Sequence, residues 1–297
     1  MKYLIPAMLA VAVGCWRSPP DPPPTPVRVE AAGLHNVFRI GERVFSGGSP
    51  EGEAGFASLR RLGVRTVLSV DGATPDVAAA KKYGLRYVHV PIGYDGIPRA
   101  KALAIAKAVR ELPGPVYVHC HHGMHRGPAA ASCALLALEP RFTPSAAEAW
   151  MRDAGTDPRY RGLFATPRTF TRPTADELEG YPADFPETAA VPTLTAVMVR
   201  VDEHWDSLKS AKARGWPSPK DSAQDAVQIV EHYREAGRIP AVAANARLHA
   251  AFRESEGFGR TLERALQGRD AAEIAESFAG IQRSCTSCHA RHRDVPR

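Results

Sequence analysis

The chain of 297 residues is short of several things, and each shortage excludes a class of protein. Beyond its first turns of sequence it has no apolar run approaching the about 20 residues that a membrane-crossing helix needs. It has no cluster of Lys and Arg of the kind that grips nucleic acid, so no nucleic-acid partner is expected. A net charge of +6 supplies only a weak background attraction for anions. Five cysteines are few and scattered, and a disulfide framework is not needed to explain them. Past about residue 190 no strand pattern survives at all.

What is present begins at the N-terminus. Lys2 precedes a short apolar stretch, 3–13, closed by Gly14 and Cys15. A basic start, a short apolar core and small residues read as an export signal over 1–14. The series Ala12-Val13-Gly14-Cys15 resembles a bacterial lipobox. That resemblance implies acylation of Cys15 and a chain tethered on the periplasmic side of a membrane. Six prolines within positions 19–26 favour extended polyproline II, so 15–34 is expected to be anchor and linker.

From 35 to 185 the pattern alternates. Short β-branched or aromatic runs at 37–40, 43–46, 64–70, 87–90 and 116–119 predict strands. Apolar spacing at 51–62, 77–83, 100–112, 128–138 and 145–153 predicts helices, several stopped by a glycine. Strands alternating with helices argue for an α/β domain with a mostly parallel sheet flanked by helices. From about 155 the chain becomes rich in proline, and it either packs against the α/β domain or serves as a connector.

Where the strand 116–119 meets its helix stands His119-Cys120-His121-His122-Gly123-Met124-His125-Arg126. A loop in that place directs its N–H groups and the positive end of the helix into one concavity, which suits a phosphate dianion. Cys120 there is expected to be a thiolate nucleophile, with the planar fork of Arg126 on two phosphate oxygens. Cys-x5-Arg with Gly123 inside it and His before it resembles the active-site loop of cysteine-dependent tyrosine and dual-specificity phosphatases. The runs Arg43–Pro50 and Leu62–Leu68 agree with that family. The resemblance implies a phosphorylated substrate, a cysteinyl-phosphate intermediate, and a general-acid Asp on a mobile loop. Asp95 occupies that loop, and Asp71, at the end of another strand, is the alternative acid. One position departs from the family: Gly127 stands where a Ser or Thr hydroxyl assists breakdown of the phospho-enzyme. The outward-pointing loop histidines, His121, His122 and His125, read as polar surface.

From 188 to 297 the spacing predicts helices at 193–212, 221–236, 240–266 and 270–293, an all-α four-helix bundle. Cys285, Cys288 and His289 fall at i, i+3 and i+4, on one helical face. Cys-x-x-Cys-His is the attachment pattern of covalent haem c: two thiols bond the vinyl carbons and His289 ligates iron. Its place near the end of a helical domain resembles the cytochrome c-prime group. That likeness implies a redox partner, a homodimer through the bundle, and a distal iron face toward the first helix. Met198 there is the candidate second axial ligand, with core packing as the other reading. Cys133, in an apolar helix, is expected to be a buried thiol. Three readings of the whole remain open: a phosphatase coupled to a haem domain, a haem protein with a slow or inactive phosphate-binding module, or two functionally independent domains on one anchor.

Overall fold

The computed structural model describes residues 24–182, 184–191 and 193–292. The export signal and Cys15 therefore lie outside the described residues. Strands β4 (Thr66–Ser69) and β6 (Val116–His119) are buried along their whole length, as continuous apolar strands covered on both faces should be. They sit centrally in a six-stranded sheet of order β1-β2-β3-β6-β4-β5. The run from β3 (Val44–Gly47) through β6 and β4 to β5 (Arg86–His89) is parallel. β1 (Pro26–Ala31) and β2 (Leu34–Ile40) extend it as an antiparallel meander. The sheet is thus mostly parallel, with helices on both faces.

β1 corrects the expected linker. The anchor and linker were drawn to residue 34, but Pro26–Ala31 pairs with β2 from Pro26 opposite Ile40 onward. Val27 and Val29 alternate with Arg28 and Glu30, a period-2 signal that the neighbouring prolines masked. An edge strand also tolerates Pro26 at its first position.

Helices α1 (Gly52–Arg61), α2 (Val77–Lys82), α3 (Arg99–Glu111), α4 (Arg126–Leu138) and α5 (Pro144–Asp153) follow the expected order. The connector is more structured than expected. α6 (Arg161–Thr169) buries Leu163 and Phe164 in the core of the sheet's α3/α4 side, and α7 (Ala175–Gly180) packs Leu178 on Leu103 and Ala106. The chain then runs back along β5, where Pro186 O accepts from the His89 N–H at 2.9 Å.

The C-terminal region is helical: α8 (Leu194–Ala213), α9 (Pro219–Arg238), α10 (Pro240–Ala243), α11 (Ala246–Gly268) and α12 (Ala271–His292). The helix expected over 240–266 is broken. Asn245 caps α11 by accepting from the Leu248 N–H at 3.1 Å, leaving α10 as a single turn before it. α8 packs on α9, α9 on α11 and α11 on α12, and Trp205 of α8 stacks on Phe278 of α12 with centroids 4.4 Å apart. Among the described residues no helix is long and apolar enough to cross a membrane.

The two regions meet along α9. Val227 is buried in the core of the α/β region. Around it Tyr160 donates to Glu231 at 2.7 Å, Arg159 pairs with Glu263 at 3.0 Å, and Arg161 pairs with Asp221 at 2.7 Å.

Candidate active site

The loop 120–126 is built by close backbone approach. Gly123 has φ +71°, and a Cβ there would stand 2.3 Å from the backbone of Gly47 and Gly48. A Cβ on Gly47 would in turn meet the Tyr117 hydroxyl at 2.3 Å. Glycine at all these points lets the loop lie flat on the end of β3. Its carbonyls are tied outward. His121 O accepts from the Ser49 N–H at 2.9 Å, Gly123 O from Asn36 Nδ2 at 3.0 Å, and Met124 O from the Thr156 hydroxyl at 2.6 Å. In a trans peptide the N–H points opposite to the carbonyl. The N–H groups of His122, Met124 and His125 therefore face away from those partners, and they donate to no described acceptor.

Cys120 lies at the base of this ring, 3% exposed. Beneath it, His119 Nδ1 bonds the Cys120 carbonyl at 3.3 Å, so it carries the proton. His119 Nε2 then accepts from the Tyr87 hydroxyl at 2.7 Å. Burial holds the His119 imidazole neutral, its pKa pushed down to about 4.

Arg126 opens α4 and is 1% exposed. Its guanidinium lies on the Tyr94 ring, 4.3 Å from the centroid. Nη1 donates to Ile92 O at 3.4 Å and pairs with Glu235 of α9. Nε and Nη2, the opposite edge of the fork, are buried without a hydrogen-bond partner. Asp71 Oδ1 is 3.6 Å from Nη2 but only 2.9 Å from Arg238 Nη2, and it also accepts from the Ala73 N–H at 3.0 Å. Burial alone would raise the Asp71 pKa; Arg126, Arg238 and that N–H outweigh it and hold the carboxyl ionised, well below its ordinary range. An acid so strongly held is a poor proton donor, which favours Asp95 over Asp71 for that role.

Asp95 stays on the loop between β5 and α3, about half exposed, with Oδ2 2.9 Å from Arg200 Nη2 on α8. That loop is pinned: a Cβ on Gly162 of α6 would stand 2.3 Å from the Asp95 backbone, and the Ile97 N–H donates to Thr166 at 2.9 Å. Gly127 is where the departure from the family pattern suggested it would matter, since a Cβ there would lie 3.5 Å from Cys120 Sγ. Of the three loop histidines, His121 and His122 are exposed. His125 instead packs on Tyr160, centroids 4.5 Å apart, and burial followed by His122 and Arg126 lowers its pKa to about 4.

Beside the loop is a cavity of about 400 Å³ shared by both regions. His121, His122 and His125 line it from the loop side, and Tyr233, Arg253 and Arg260 from the helical side.

Glu235, Arg238 and Tyr94 escaped the sequence reading. Glu235 and Arg238 sit one turn apart on a charged helix, where such a pair is normally solvated surface, and nothing local marks them otherwise.

At the other end, Cys285, Cys288 and His289 lie half-buried within the last turns of α12, and both thiols are unpaired. Cys285 packs against the helical core, as does Met198 of α8, and Cys285 Sγ is 3.5 Å from the Tyr233 hydroxyl. Among the described residues no group of three or more His, Cys, Asp or Glu is arranged to hold a metal ion. Two free thiols and an imidazole at i, i+3 and i+4 on α12, with Cys285 against the apolar core, are the donor set that covalent haem uses. His204 of α8 is mostly buried and bonds Asp225 through Nδ1 at 3.0 Å. Cys133 is fully buried, with its thiol pushed up to about 12 by that burial.

No protein-family model matches the chain, and no curated protein matches it. Solved structures resemble it over about half its length. TpbA from P. aeruginosa matches at 24% identity and TM-score 0.40, covering 50% of this chain and 94% of its own. A cysteine-to-serine variant of TpbA in complex with pTyr matches at 24% and 0.37, covering 49% and 96%. A DUF442 protein structure from Shewanella putrefaciens CN-32 matches at 20% and 0.38, covering 46% and 90%.

Proposed function

We propose that the chain is an exported, lipid-tethered protein whose α/β region hydrolyses phosphomonoesters through a cysteinyl-phosphate. The observation that carries this reading is the unbonded Nε–Nη2 edge of buried Arg126 at the end of a loop that begins at buried Cys120 and whose His122, Met124 and His125 N–H groups donate to no described acceptor. Buried donors without partners are costly, and a tetrahedral dianion would satisfy them together.

In the proposed reaction Cys120 Sγ attacks phosphorus and the bond to the leaving oxygen breaks. The loop N–H groups and Arg126 take up the equatorial oxygens and their developing charge. Asp95 gives its proton to the departing oxygen once it leaves Arg200. Water then attacks the cysteinyl-phosphate, its proton passing to Asp95, and phosphate and the thiolate are released. The cavity beside the loop would receive the rest of the substrate. Aryl-phosphate hydrolysis by wild type against Cys120→Ser tests this; equal, background rates would overturn it.

The C-terminal region is proposed to be a cytochrome c-prime-like four-helix domain, with haem on Cys285 and Cys288 and His289 on iron. When bound, that group would supply one-electron exchange or a gas-binding iron, serving electron transfer to a redox partner or sensing. A pyridine haemochrome spectrum lacking a c-type signal, from cells able to mature such cytochromes, would overturn it. Export and lipidation rest on the N-terminal sequence alone, and loss of membrane association in Cys15→Ser tests them.

Gly127 favours a second reading. With no hydroxyl beside Cys120, the phospho-enzyme would break down slowly, and the α/β region would act chiefly as a phosphate-binding module of a haem protein.

A further inference from the structure

A guanidinium binds two phosphate oxygens through one edge of its fork, and that edge must be kept free in a buried site crowded with carboxylates. The α/β region does not arrange this by itself. It supplies Tyr94 as a floor and Ile92 O as a weak acceptor for Nη1, but it also places the ionised Asp71 carboxyl 3.6 Å from Nη2. Left alone, Asp71 would be drawn onto the edge that a phosphate needs.

Two residues of α9 remove that competition. Arg238 takes Asp71 Oδ1 at 2.9 Å, within hydrogen-bond range, while the approach from Arg126 stays outside it. Glu235, three residues earlier and on the same face, clamps Nη1, the opposite end of the guanidinium. Gly72 lies beside this clamp: a Cβ there would stand 2.9 Å from Glu235 Oε1, so any side chain would displace the end of Glu235.

We propose that α9 of the helical region completes the phosphate site, Glu235 and Arg238 acting as positioning residues that hold one edge of the Arg126 fork open for an oxyanion. This deepens the phosphate-site reading and rests on it. The competent site is therefore made of both regions. The same helix carries Tyr233, whose hydroxyl reaches Cys285, so a displacement of α12 has a path of one half-turn to the Arg126 clamp.

The test measures binding of inorganic phosphate by calorimetry to the full chain carrying Cys120→Ser, which needs no turnover. Added Arg238→Ala should weaken binding about tenfold, because Asp71 is freed to take the fork. Adding Asp71→Asn to that variant should restore affinity to within about twofold, an outcome that general damage to the interface would not give. Glu235→Ala and Gly72→Ala should each weaken binding. Arg159→Ala, which cuts the Arg159–Glu263 pair at the same interface, should leave it unchanged, and melting curves check that each variant is folded. If the Cys120→Ser parent binds no phosphate, the phosphate-site reading falls and this inference with it. If the parent binds and Arg238→Ala binds equally well, or Asp71→Asn fails to rescue it, the inference alone is overturned.

Discussion

Arg200 holds Asp95: a guanidinium of the helical region lies 2.9 Å from the carboxyl proposed to protonate the leaving group. Both side chains are about half exposed, so the pair contributes at most about 1 kcal/mol to stability. It nevertheless holds the carboxyl on Arg200, and that contact must open before Asp95 can reach a leaving group.

Releasing it should help catalysis. Arg200→Ala is expected to raise kcat for alkyl phosphates, whose leaving oxygen needs the proton, by a few-fold, with melting temperature nearly unchanged. Asp95→Asn should lower kcat for the same substrates by about 10²-fold and affect a nitrophenyl ester far less. Steady-state kinetics on the two ester classes checks both, and equal effects on each class would remove Asp95 from the role of acid.

Gly127 predicts a burst. Rapid mixing should show fast release of the first leaving group, one per protein, followed by a slow steady state. Gly127→Ser should speed the slow phase by about tenfold by placing a hydroxyl near Cys120 Sγ. It should also lower stability by about 1 kcal/mol, since its Cβ would sit 3.2 Å from Cys120 N.

Acid should loosen the site before it protonates Asp71. His119 and His125 each have a pKa lowered to about 4, burial being the largest cause. The unfolded chain binds more protons at these positions between about pH 6.5 and 4, so stability falls as pH drops through that window. Asp71 works lower down: its contribution is present above the ordinary carboxyl range and is lost below it. Melting temperature measured from pH 7 to 4 should decline, and His119→Gln should flatten part of the decline.

Haem attachment gives a separable prediction. Cys288→Ser should leave a singly attached haem with an altered pyridine haemochrome band, and the double replacement with Cys285→Ser should leave none. Met198→Ala should abolish the sulfur-to-iron charge-transfer band of the oxidised protein if Met198 ligates iron. An unchanged spectrum assigns Met198 to core packing.

Much of the site was legible because loop chemistry is local. Cys120, Gly123 and Arg126 sit within seven residues, and the fully apolar strands around them could be read without knowing their neighbours. The helical spacing that put Cys285, Cys288 and His289 on one face was equally local. β1 was missed because six prolines dominated its surroundings, and the break at Asn245 because a capping side chain competes with a pattern that reads as continuous. Glu235 and Arg238 were beyond reach for a different reason. Their role depends on which helix lies across the loop, and that is fixed by contacts more than a hundred residues apart in sequence, such as Arg126 with Glu235.

Val227 belongs to α9 by sequence and to the α/β core by position. The change of composition near residue 190 marks where the chain changes its manner of folding, and it is no seam. A protease cutting there would not release two finished pieces: the α/β piece would lose a buried valine together with Glu231 and Glu263, the partners of its Tyr160 and Arg159, and the helical piece would lose the surface that covers them. The molecule should therefore melt as one cooperative unit, and whatever loosens either half loosens both.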